Sequence, residues 1–550
     1  MNTIRLNTIG EVVAKKKGGE TGGAEDVFFY DYDGVLLHTF SADAFLALKQ
    51  MPKLPEREGL ICQGWNWSLE DAQSYVKDCG MLVIGANYIT DNGKTRFYVR
   101  VDDDVERKIS LYIGASTNDL NWKTIDWGDG SEPQTEWPNK TVSHTYPAKG
   151  DYCIEVEVRA DTMRFGGSYT SSCVMGPSGT DTYRSAMYVA NRLLKIEIGD
   201  KVERIDPYAF SGCLSLTCVS IPKSIQVVAY NCFSNCYNLA FLAIPEGVTT
   251  IEKNSFENDY SLENVSFPKS VTALGNALFK SCRLLQKCCF PKGMTAIPES
   301  LFENCTELKR VTPFNGVQSI GQKAFYSTNI KTIVLPETIT SLGQYAFANM
   351  KSLSEINIPK GASLASYLFQ NCYALKAISL PEGLTTIPNY AFYATAIESI
   401  EIPEGVTSIG QYAFCYCKLR HISIPASLIT LNTYCFDNCN CLASIEIPDG
   451  ITSIPNYAFR NCTSLRSIRV PSSVTSIGQY AFQSAKSLVN MDFSEHSVIP
   501  TLGSYSVDSL DYACKIIVPD ALYDEWIAAT NWSNYASKII KKSDWDASQS

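Results

Sequence analysis

The stretch IPEGVTSIGQYAF at residues 402–414 contains the features that decide the fold of this chain. Its pattern, roughly I-x-I-P-x-x-(V/I)-x-x-I-x-x-x-x-F-x-x-C-x-x-L, returns again and again between Gly199 and Pro519. A fixed period of this length predicts a solenoid, in which each coil buries its apolar side only by stacking on the next coil. The repeat proline recurs at intervals of 22 or 23 residues, at Pro222, Pro245, Pro268, Pro291, Pro313, Pro336, Pro359, Pro381, Pro403, Pro425, Pro448 and Pro471.

Each repeat also has a phenylalanine after the proline and a small or pliable residue three positions later. One aromatic residue at the same point of every coil predicts a continuous spine inside the stack. The spine residues are Phe210, Phe233, Phe256, Phe279, Phe302, Phe325, Phe347, Phe369, Phe392, Phe414, Phe436, Phe459 and Phe482. The later position holds Cys213, Cys236, Cys282, Cys305, Cys372, Cys417, Cys439 or Cys462, and otherwise Asp259, Thr328, Met350, Thr395 or Ala485. Because cysteine alternates with threonine, alanine and methionine there, we interpret these thiols as core residues.

The run that ends at each proline alternates apolar and polar residues, as residues 444–447 do, and this is the period of a strand. Proline then ends the strand where no ladder donor is needed. A second, short strand is predicted at the V-x-x-I run, for example at 406–409. Thirteen coils at a strand spacing of about 4.8 Å predict a rod roughly 60 Å long.

Residues 402–414 closely resemble the unit of the BspA-type leucine-rich repeats, and the region of Pro519, Trp526 and Trp532 resembles the cap of such proteins. The resemblance extends over residues 199–540. It implies a leucine-rich-repeat solenoid with a strand-helix cap at 515–550. It does not specify a function, since the family includes bacterial adhesins, protist surface proteins and phage products.

Charge and cysteine content narrow the class of protein. The net charge of −10 and the pI near 5.2 argue against a general nucleic-acid binder. The chain has 20 cysteines but only four histidines and no paired C-x-x-C motifs at zinc spacing, so neither a Cys/His metal site nor a cofactor is predicted.

Most or all thiols are expected to be reduced, which fits folding in a bacterial cytoplasm. No signal-peptide core or membrane-length apolar run is visible, so no membrane insertion is expected.

The chain is predicted to be a multidomain, mainly β protein. The predicted parts are a docking segment with a Gly-rich linker at 1–26, a small α/β module at 27–95, a β-sandwich at 96–176, a connector at 177–195, the solenoid at 196–514 and the cap and tail at 515–550. In the module, residues 27–37 predict two strands joined by an Asp-Gly turn. Ser41 and Ser68 are predicted to cap helices.

The series WGDGS at 127–131, HTY at 144–146 and Gly150–Val156 resembles a PKD-type β-sandwich. We interpret the rings of Tyr146 and Tyr152 as core packing. Carboxylate oxygens suit Ca²⁺, and the candidate ligands for such a site are Asp102, Asp103, Asp104 and Asp129. A solvated acidic loop is the alternative interpretation.

Asp31, Asp33 and Gly34 follow an apolar strand and resemble the nucleophile motif of haloacid-dehalogenase-type phosphatases. There the first carboxylate attacks phosphorus and the second acts as acid and base beside Mg²⁺. Such an enzyme also needs further catalytic residues on a larger doubly wound sheet, and this module is too short for one. The Asp-Gly turn is the preferred interpretation, and no enzymatic activity is predicted.

The order of motifs over residues 27–175 resembles a module of phage and prophage tail proteins from gut bacteria, where it precedes binding repeats. The resemblance implies a non-enzymatic virion protein, a tail fibre or related appendage, made in the bacterial cytoplasm and released by lysis. Its N-terminal region would bind other virion proteins, and its solenoid a protein or glycan of the host surface. Fibres are often trimers, but no coiled-coil heptads enforce one here. The alternative is a BspA-like adhesin at the bacterial cell surface, which binds host matrix proteins or other cells.

Two sets of residues are candidates for the recognition surface. The first set points outward from the strands before the prolines: Glu355, Asn357, Ser379, Ser399, Glu401, Ser423, Glu446 and Arg469. The second set lies two residues before the spine: Tyr345, Tyr367, Tyr390, Tyr412, Tyr434, Tyr457 and Tyr480. Tyrosines with wet hydroxyls suit recognition. Regular spacing equally suits packing between coils, which we favour for the tyrosines, and ordinary solvation is the alternative for the strand residues.

Overall fold

The computed structural model describes residues 26–102, 107–114, 124–135, 140–157, 162–164, 192–312 and 314–549. The predicted docking segment, Asp103, Asp104 and most of the predicted connector lie outside the described residues. The described chain is mainly β, with few helices and a solenoid of about 15 turns. The predicted fold class is thereby confirmed.

The α/β module contains one four-stranded sheet and two helices. Its elements are β1 (Val27–Tyr30), β2 (Leu36–Phe40), α1 (Ala42–Leu46), β3 (Leu60–Trp65), α2 (Leu69–Cys79) and β4 (Leu82–Thr90), with the sheet order β2-β1-β4-β3. The predicted hairpin is present, with Gly34 at φ +88°, and its N–H donates to the Asp31 carbonyl at 3.0 Å. The predicted caps are also confirmed, since Ser41 accepts from the Ala44 N–H and Ser68 from the Asp71 N–H.

A two-sheet sandwich follows the module. Its strands are β5 (Thr95–Val101), β6 (Lys108–Gly114), β7 (Thr124–Asp126), β8 (Lys140–Thr145), β9 (Gly150–Glu157) and β10 (Thr162–Arg164). The β5-β9-β7 and β10-β6-β8 sheets share a core that includes Trp127 and Tyr146, while Tyr152 packs against it. Strand β5 also pairs with β11 (Leu193–Glu197), which in turn pairs with Cys218–Ser220. The sandwich sheet therefore continues directly into the solenoid.

The solenoid has two columns of parallel strands. The strands of the first column are here called proline strands, because most of them end just before the repeat proline. After β11 they continue as Cys218–Ser220, Phe241–Ala243, Asn264–Ser266, Lys287–Cys288, Arg310–Val311, Thr332–Ile333, Glu355–Ile356, Ser399–Glu401, His421–Ser423, Ser467–Arg469, Asn490–Asp492, Lys515–Val518 and Ile539–Lys541. The second column, here called short strands, is Val227–Val228, Thr250–Ile251, Ala273–Leu274, Ala296–Ile297, Ser319–Ile320, Ser341–Leu342, Thr386–Ile387, Ser408–Ile409, Thr430–Leu431, Ser453–Ile454, Ser476–Ile477 and Thr501–Leu502.

The phenylalanine spine is present as predicted. Neighbouring spine rings lie 5.3–5.9 Å apart between centroids from Phe210 to Phe482, and all of them are fully buried. One further coil follows, in which Val507 is buried and the Ser506 carbonyl accepts from the Phe482 N–H at 2.7 Å. The phenylalanine pattern alone therefore undercounts the coils, because the last one uses an aliphatic residue.

The module does not extend away from the rod but lies across its first proline strands. Along β4, the Met81 carbonyl accepts from Cys289, the Val83 carbonyl accepts from Ser266 at 2.8 Å, and Gly85 lies against Ala243. Residues two apart along β4 thus contact successive coils, each one coil nearer the N-terminal end of the solenoid. Strand β4 therefore crosses the column of proline strands. A Cβ on Gly85 would lie 2.5 Å from the Ala243 Cβ, which explains why glycine stands at this crossing.

Polar contacts around this crossing come from the loop after β3. The Asn66 side-chain N–H donates to the Ile244 carbonyl at 3.0 Å and to the Ser266 hydroxyl at 2.7 Å, and the Trp67 indole donates to the Phe267 carbonyl at 2.7 Å. Ion pairs surround the apolar contact: Lys269 with Asp71, Lys292 with Asp78 and Arg310 with Asp26. The module and the first coils therefore form one packed unit.

The C-terminal end is closed by the predicted cap. Proline strand Lys515–Val518 leads through a 3₁₀ turn (Asp520–Leu522) into α3 (Tyr523–Ala528), a second 3₁₀ segment (Trp532–Lys538), strand Ile539–Lys541 and α4 (Lys542–Gln549). Trp526 and Trp532 are buried, with ring centroids 5.5 and 5.4 Å from that of Phe493. Within the described ranges, no helix is both long and apolar enough to cross a membrane.

Candidate binding surfaces of the solenoid

The outward face of the proline strands is divided into a covered part and an open part. Beneath the module, the outward side chains are small or apolar and are buried: Cys218, Ser220, Phe241, Ala243, Asn264, Ser266 and Cys289. Phe241 stacks on Tyr30 of β1, with a centroid distance of 4.9 Å. The first coils therefore use this face for an internal contact.

Beyond the module the same face is open. All eight strand-face candidates, Glu355, Asn357, Ser379, Ser399, Glu401, Ser423, Glu446 and Arg469, are exposed. Two of them have partners in neighbouring coils. The Asn357 amide bonds to both backbone groups of Leu335, at 2.7 and 2.8 Å, and Arg469 pairs with Asp449 and Glu495. For the other six, no side-chain hydrogen bond or ion pair occurs within the described residues, so they present a polar surface free to contact a partner.

The seven candidate tyrosines form a stacked column that continues to Tyr505. Successive centroids from Tyr345 to Tyr505 are 4.3–5.3 Å apart, with interplanar angles of 6–18°. The seven rings are half-buried, and burial raises the pKa of Tyr412 to about 12. Each ring face is occupied by its neighbours, so a partner meets only the hydroxyl edges of the column.

The backbone explains why this column is so regular. Tyr412 and Tyr416 flank the spine residue Phe414 with φ values of 54° and 61°, and every coil from Tyr208 to Ser509 has such a pair of left-handed residues. The N–H groups of these three residues donate to Thr433, Cys435 and Asp437 of the next coil at 2.9–3.2 Å. The left-handed residues thus form a third inter-coil ladder. Non-glycine residues rarely adopt this conformation, so the ladder contacts must offset its strain.

The repeat cysteines lie inside the stack and not on either surface. Seven of them, for example Cys439, donate S–H to the carbonyl of the spine residue one coil earlier at 3.0–3.3 Å. Burial raises the pKa of Cys372 and of Cys417 to about 12. No disulfide joins the cysteines of the described residues. These thiols are therefore protonated core groups, as predicted for fillers.

Asp259 is the exception in the cysteine column. One of its oxygens accepts from the Cys236 N–H at 2.8 Å, and the other has no partner among the described residues. Burial raises the pKa of this carboxyl well above its usual value, although the Cys236 N–H opposes the shift. Burial therefore favours the protonated form of this carboxyl group, which stands where neighbouring coils have a thiol.

Two of the residues considered for catalysis and calcium binding, Asp31 and Asp129, are engaged in structural contacts. The Asp31 carboxylate is buried, accepts from the Arg57 guanidinium at 2.9 Å and from the Tyr32 N–H at 2.8 Å. Asp129 accepts from the Ser131 N–H at 3.0 Å and lies 2.7 Å from the His144 ring nitrogen. Asp102 is exposed. In the described part of the chain, no three His, Cys, Asp or Glu side chains are grouped as metal ligands.

Comparison with known proteins identifies the class of protein that this repeat defines. The BspA type leucine rich repeat region matches residues 180–309, 318–443 and 385–510, in six copies that together cover more than half of the chain. The chain belongs to the BspA-type leucine-rich-repeat family. The match does not include residues 27–175, so the resemblance of that region to PKD-type sandwiches and to phage tail modules stays a prediction.

Solved structures of other leucine-rich-repeat proteins match part of this chain. A leucine-rich repeat protein from Bacteroides ovatus ATCC 8483 is 25% identical, with 66% of this chain and 95% of that chain covered and a TM-score of 0.47. A leucine rich cell surface protein from Faecalibacterium prausnitzii A2-165 is 26% identical, with 62% and 90% covered and a TM-score of 0.42. No curated protein sequence matches significantly. Since both TM-scores are below 0.5, the family assignment rests on the repeat pattern.

Proposed function

We propose that this protein is a non-enzymatic recognition protein, which attaches to a cell surface through the open face of its proline strands. One observation carries the proposal: the outward residues of this face change from buried, small or apolar side chains beneath the module to mostly polar, exposed side chains such as Ser379, Glu401 and Glu446. A long, shallow, polar surface favours contact with a protein or a glycan over chemistry in a pocket.

The experiment compares two faces of the same coils. Ser399→Lys with Ser423→Lys adds two positive charges to the open proline-strand face, and Thr407→Lys with Thr452→Lys makes the same addition of charge on the short-strand face. Labelled full-length protein is titrated onto intact bacterial cells, and bound fluorescence is measured. We expect the first pair to lower binding at least fivefold and the second pair to leave it unchanged. Equal binding by both pairs would contradict the assignment of this face.

The finer proposal is that the carrier is a phage particle, with the chain as a tail fibre or related appendage. The order of module, sandwich and solenoid supports it. The lack of disulfides among the described cysteines also fits synthesis in a bacterial cytoplasm. The N-terminal region would bind other virion proteins, and a homo-oligomer, for example a trimer, would present several solenoids.

Family membership supports the second candidate, a BspA-like adhesin on a bacterial cell that binds host matrix proteins or other cells. Mass spectrometry of purified particles and of cell envelopes separates the two candidates. Detection in particles supports the virion role. Detection only in the envelopes of uninfected bacteria would exclude it and leave the adhesin.

A further inference from the structure

One corner of the solenoid carries exposed tyrosines outside the stacked column. Tyr373 and Tyr416 are 55% and 50% exposed, and between them lies Tyr393, whose ring centroid is 5.7 Å from that of Tyr416. Tyr373 makes no ring contact or hydrogen bond within the described residues. Aromatic side chains exposed to this extent leave about half of their surface in solvent, and clusters of exposed apolar groups mark interaction sites.

The chain is shortened next to Tyr373. In its own coil, two residues separate Cys372 from the buried Leu375, whose N–H donates back to the Cys372 carbonyl at 3.1 Å and closes a turn. In each of the next two coils only one residue occupies this place, Ala396 in the first and Lys418 in the second. Two consecutive coils thus lack the projecting turn, and the Tyr373 ring stands at the side of the resulting depression.

The charge of this corner is opposite to that of the chain. Lys351, Tyr373, Ala396 and Lys418 occupy the same position in four successive coils, and Lys376 follows Leu375. The three lysines are exposed and form no ion pair within the described ranges. Of the acidic residues in these coils, Glu398 is paired with Arg420 at 3.5 Å, whereas Glu355 and Glu401 lie on the outward face of the adjoining proline strands. In a protein with a net charge of −10, this is a local excess of positive charge.

These residues form one surface, the lysine–tyrosine corner, which consists of Lys351, Tyr373, Lys376, Tyr393, Tyr416 and Lys418. We propose that this corner binds an acidic polysaccharide whose pyranose rings carry carboxylates. The inference deepens the proposed function and rests on it, because it names the chemistry of one partner of the solenoid.

Three features of the corner fit this ligand. The C–H face of a sugar ring packs on an exposed aromatic face, and Tyr373 offers one beside the depression. Ammonium groups attract carboxylates as point charges without fixed geometry, and the lysines precede and follow Tyr373 along the stack. Because coils are spaced by about 4.8 Å, Lys351 and Lys418 are separated by roughly three such steps. A shallow site of this length suits an extended polymer lying along the rod.

The test uses full-length protein and immobilised polygalacturonate, with its methyl ester as the uncharged form of the same polymer. Binding is measured by interferometry at low and at physiological salt. We expect binding to polygalacturonate and little to the ester. Tyr373→Ala should weaken binding at least fivefold, and Lys351→Gln with Lys376→Gln and Lys418→Gln at least tenfold.

Matched controls come from other coils. Lys486 occupies the Lys351 position near the C-terminal end and is also exposed, so Lys486→Gln should leave binding unchanged. Tyr512 is 95% exposed in the last coil, so Tyr512→Ala controls for loss of an exposed aromatic residue. All these side chains are at the surface, so unchanged melting temperatures will verify that the variants fold.

Specific outcomes overturn the proposal. Equal binding to the methyl ester would exclude the carboxylates, and equal binding to polyglutamate would reassign the corner to acidic peptides. Unchanged binding by Tyr373→Ala and by the triple lysine variant would show that the polymer binds elsewhere. If intact cells bind the protein but polygalacturonate does not, only this inference fails. If polygalacturonate binds through the corner and no cell surface does, the proposed function fails instead.

Discussion

The crossing of β4 over the solenoid provides the sharpest test of the architecture, through Gly85→Ala. A methyl group here would lie 2.5 Å from the Ala243 Cβ and 3.2 Å from the Ser266 Cβ. Since ordinary carbon contacts are close to 3.5–4.0 Å, the two sheets must separate by about 1 Å. Overpacking of this kind costs about 1–3 kcal/mol, and each strained bond of Asn66 to the coils adds up to about 1 kcal/mol.

The assay measures the melting temperature and the solvent access to the contact between module and solenoid. Cys218 and Cys289 are buried beneath the module, so a thiol reagent should modify them faster in the variant, with each site identified by mass spectrometry. Gly361→Ala is the matched control, because a Cβ there meets nothing within 4 Å. Adding Ala243→Gly to Gly85→Ala removes the closest methyl group and should restore most of the lost stability.

The reasoning would be refuted by a Gly85→Ala protein with the melting temperature and thiol reactivity of the unsubstituted chain. It would also be refuted if Ala243→Gly failed to compensate in the double variant, since then the clash would not be the cause. A loss of stability without faster modification of Cys218 and Cys289 would place the damage inside the module.

Three further substitutions test the interior of the coils. Asp259→Cys should raise the melting temperature more at pH 7 than at pH 4. Burial raises the pKa of the Asp259 carboxyl in the folded protein, so the free energy of unfolding of the unsubstituted chain falls as pH rises above the unfolded pKa near 3.9. Arg460→Met should cost about 3–5 kcal/mol in urea unfolding by leaving buried Asp437 unpaired, and adding Asp437→Ala should recover most of that loss. Phe414→Ala should cost about 3–5 kcal/mol, with faster hydrogen exchange in its own and adjacent coils than in distant ones.

The repeated features of the fold were predictable because the residue pattern for each of them recurs many times in the sequence. Period, spine and strand positions follow from the spacing of apolar residues, and local rules identify the Asp-Gly turn and the Ser41 and Ser68 caps. The family also follows from the repeat. A single departure, such as Val507 in place of phenylalanine, is harder to recognise because only the neighbouring coils show which position it fills.

The contact between module and solenoid was not predicted, although a signal for it exists. Phe241, Ala243 and Cys289 occupy outward positions where later coils have polar residues, which indicates a covered face. Periodicity cannot show what covers it, since the partner strand β4 is far away in sequence. The left-handed ladder was also missed, because a tyrosine at positive φ contradicts local preference and depends on bonds from the next coil.

For the candidate surface, the sequence correctly placed the strand-face residues in solvent. It could not show that Asn357 and Arg469 already have partners in adjacent coils, since those bonds depend on how neighbouring coils are aligned. The lysine–tyrosine corner was overlooked for a similar reason. Its residues become neighbours only when coils of different length are stacked, and Lys351, Tyr373 and Lys418 stand far apart along the chain.

The closure of both ends of the rod limits how copies of this chain can associate. At one end β11 is already hydrogen-bonded to β5 of the sandwich, and at the other Trp526 and Trp532 plug the stack above Phe493. Within the described residues, neither end of the solenoid therefore offers bare hydrocarbon on which another rod would grow into a filament. Copies that associate through their described coils would meet side by side, along flanks that run the whole length of the coils.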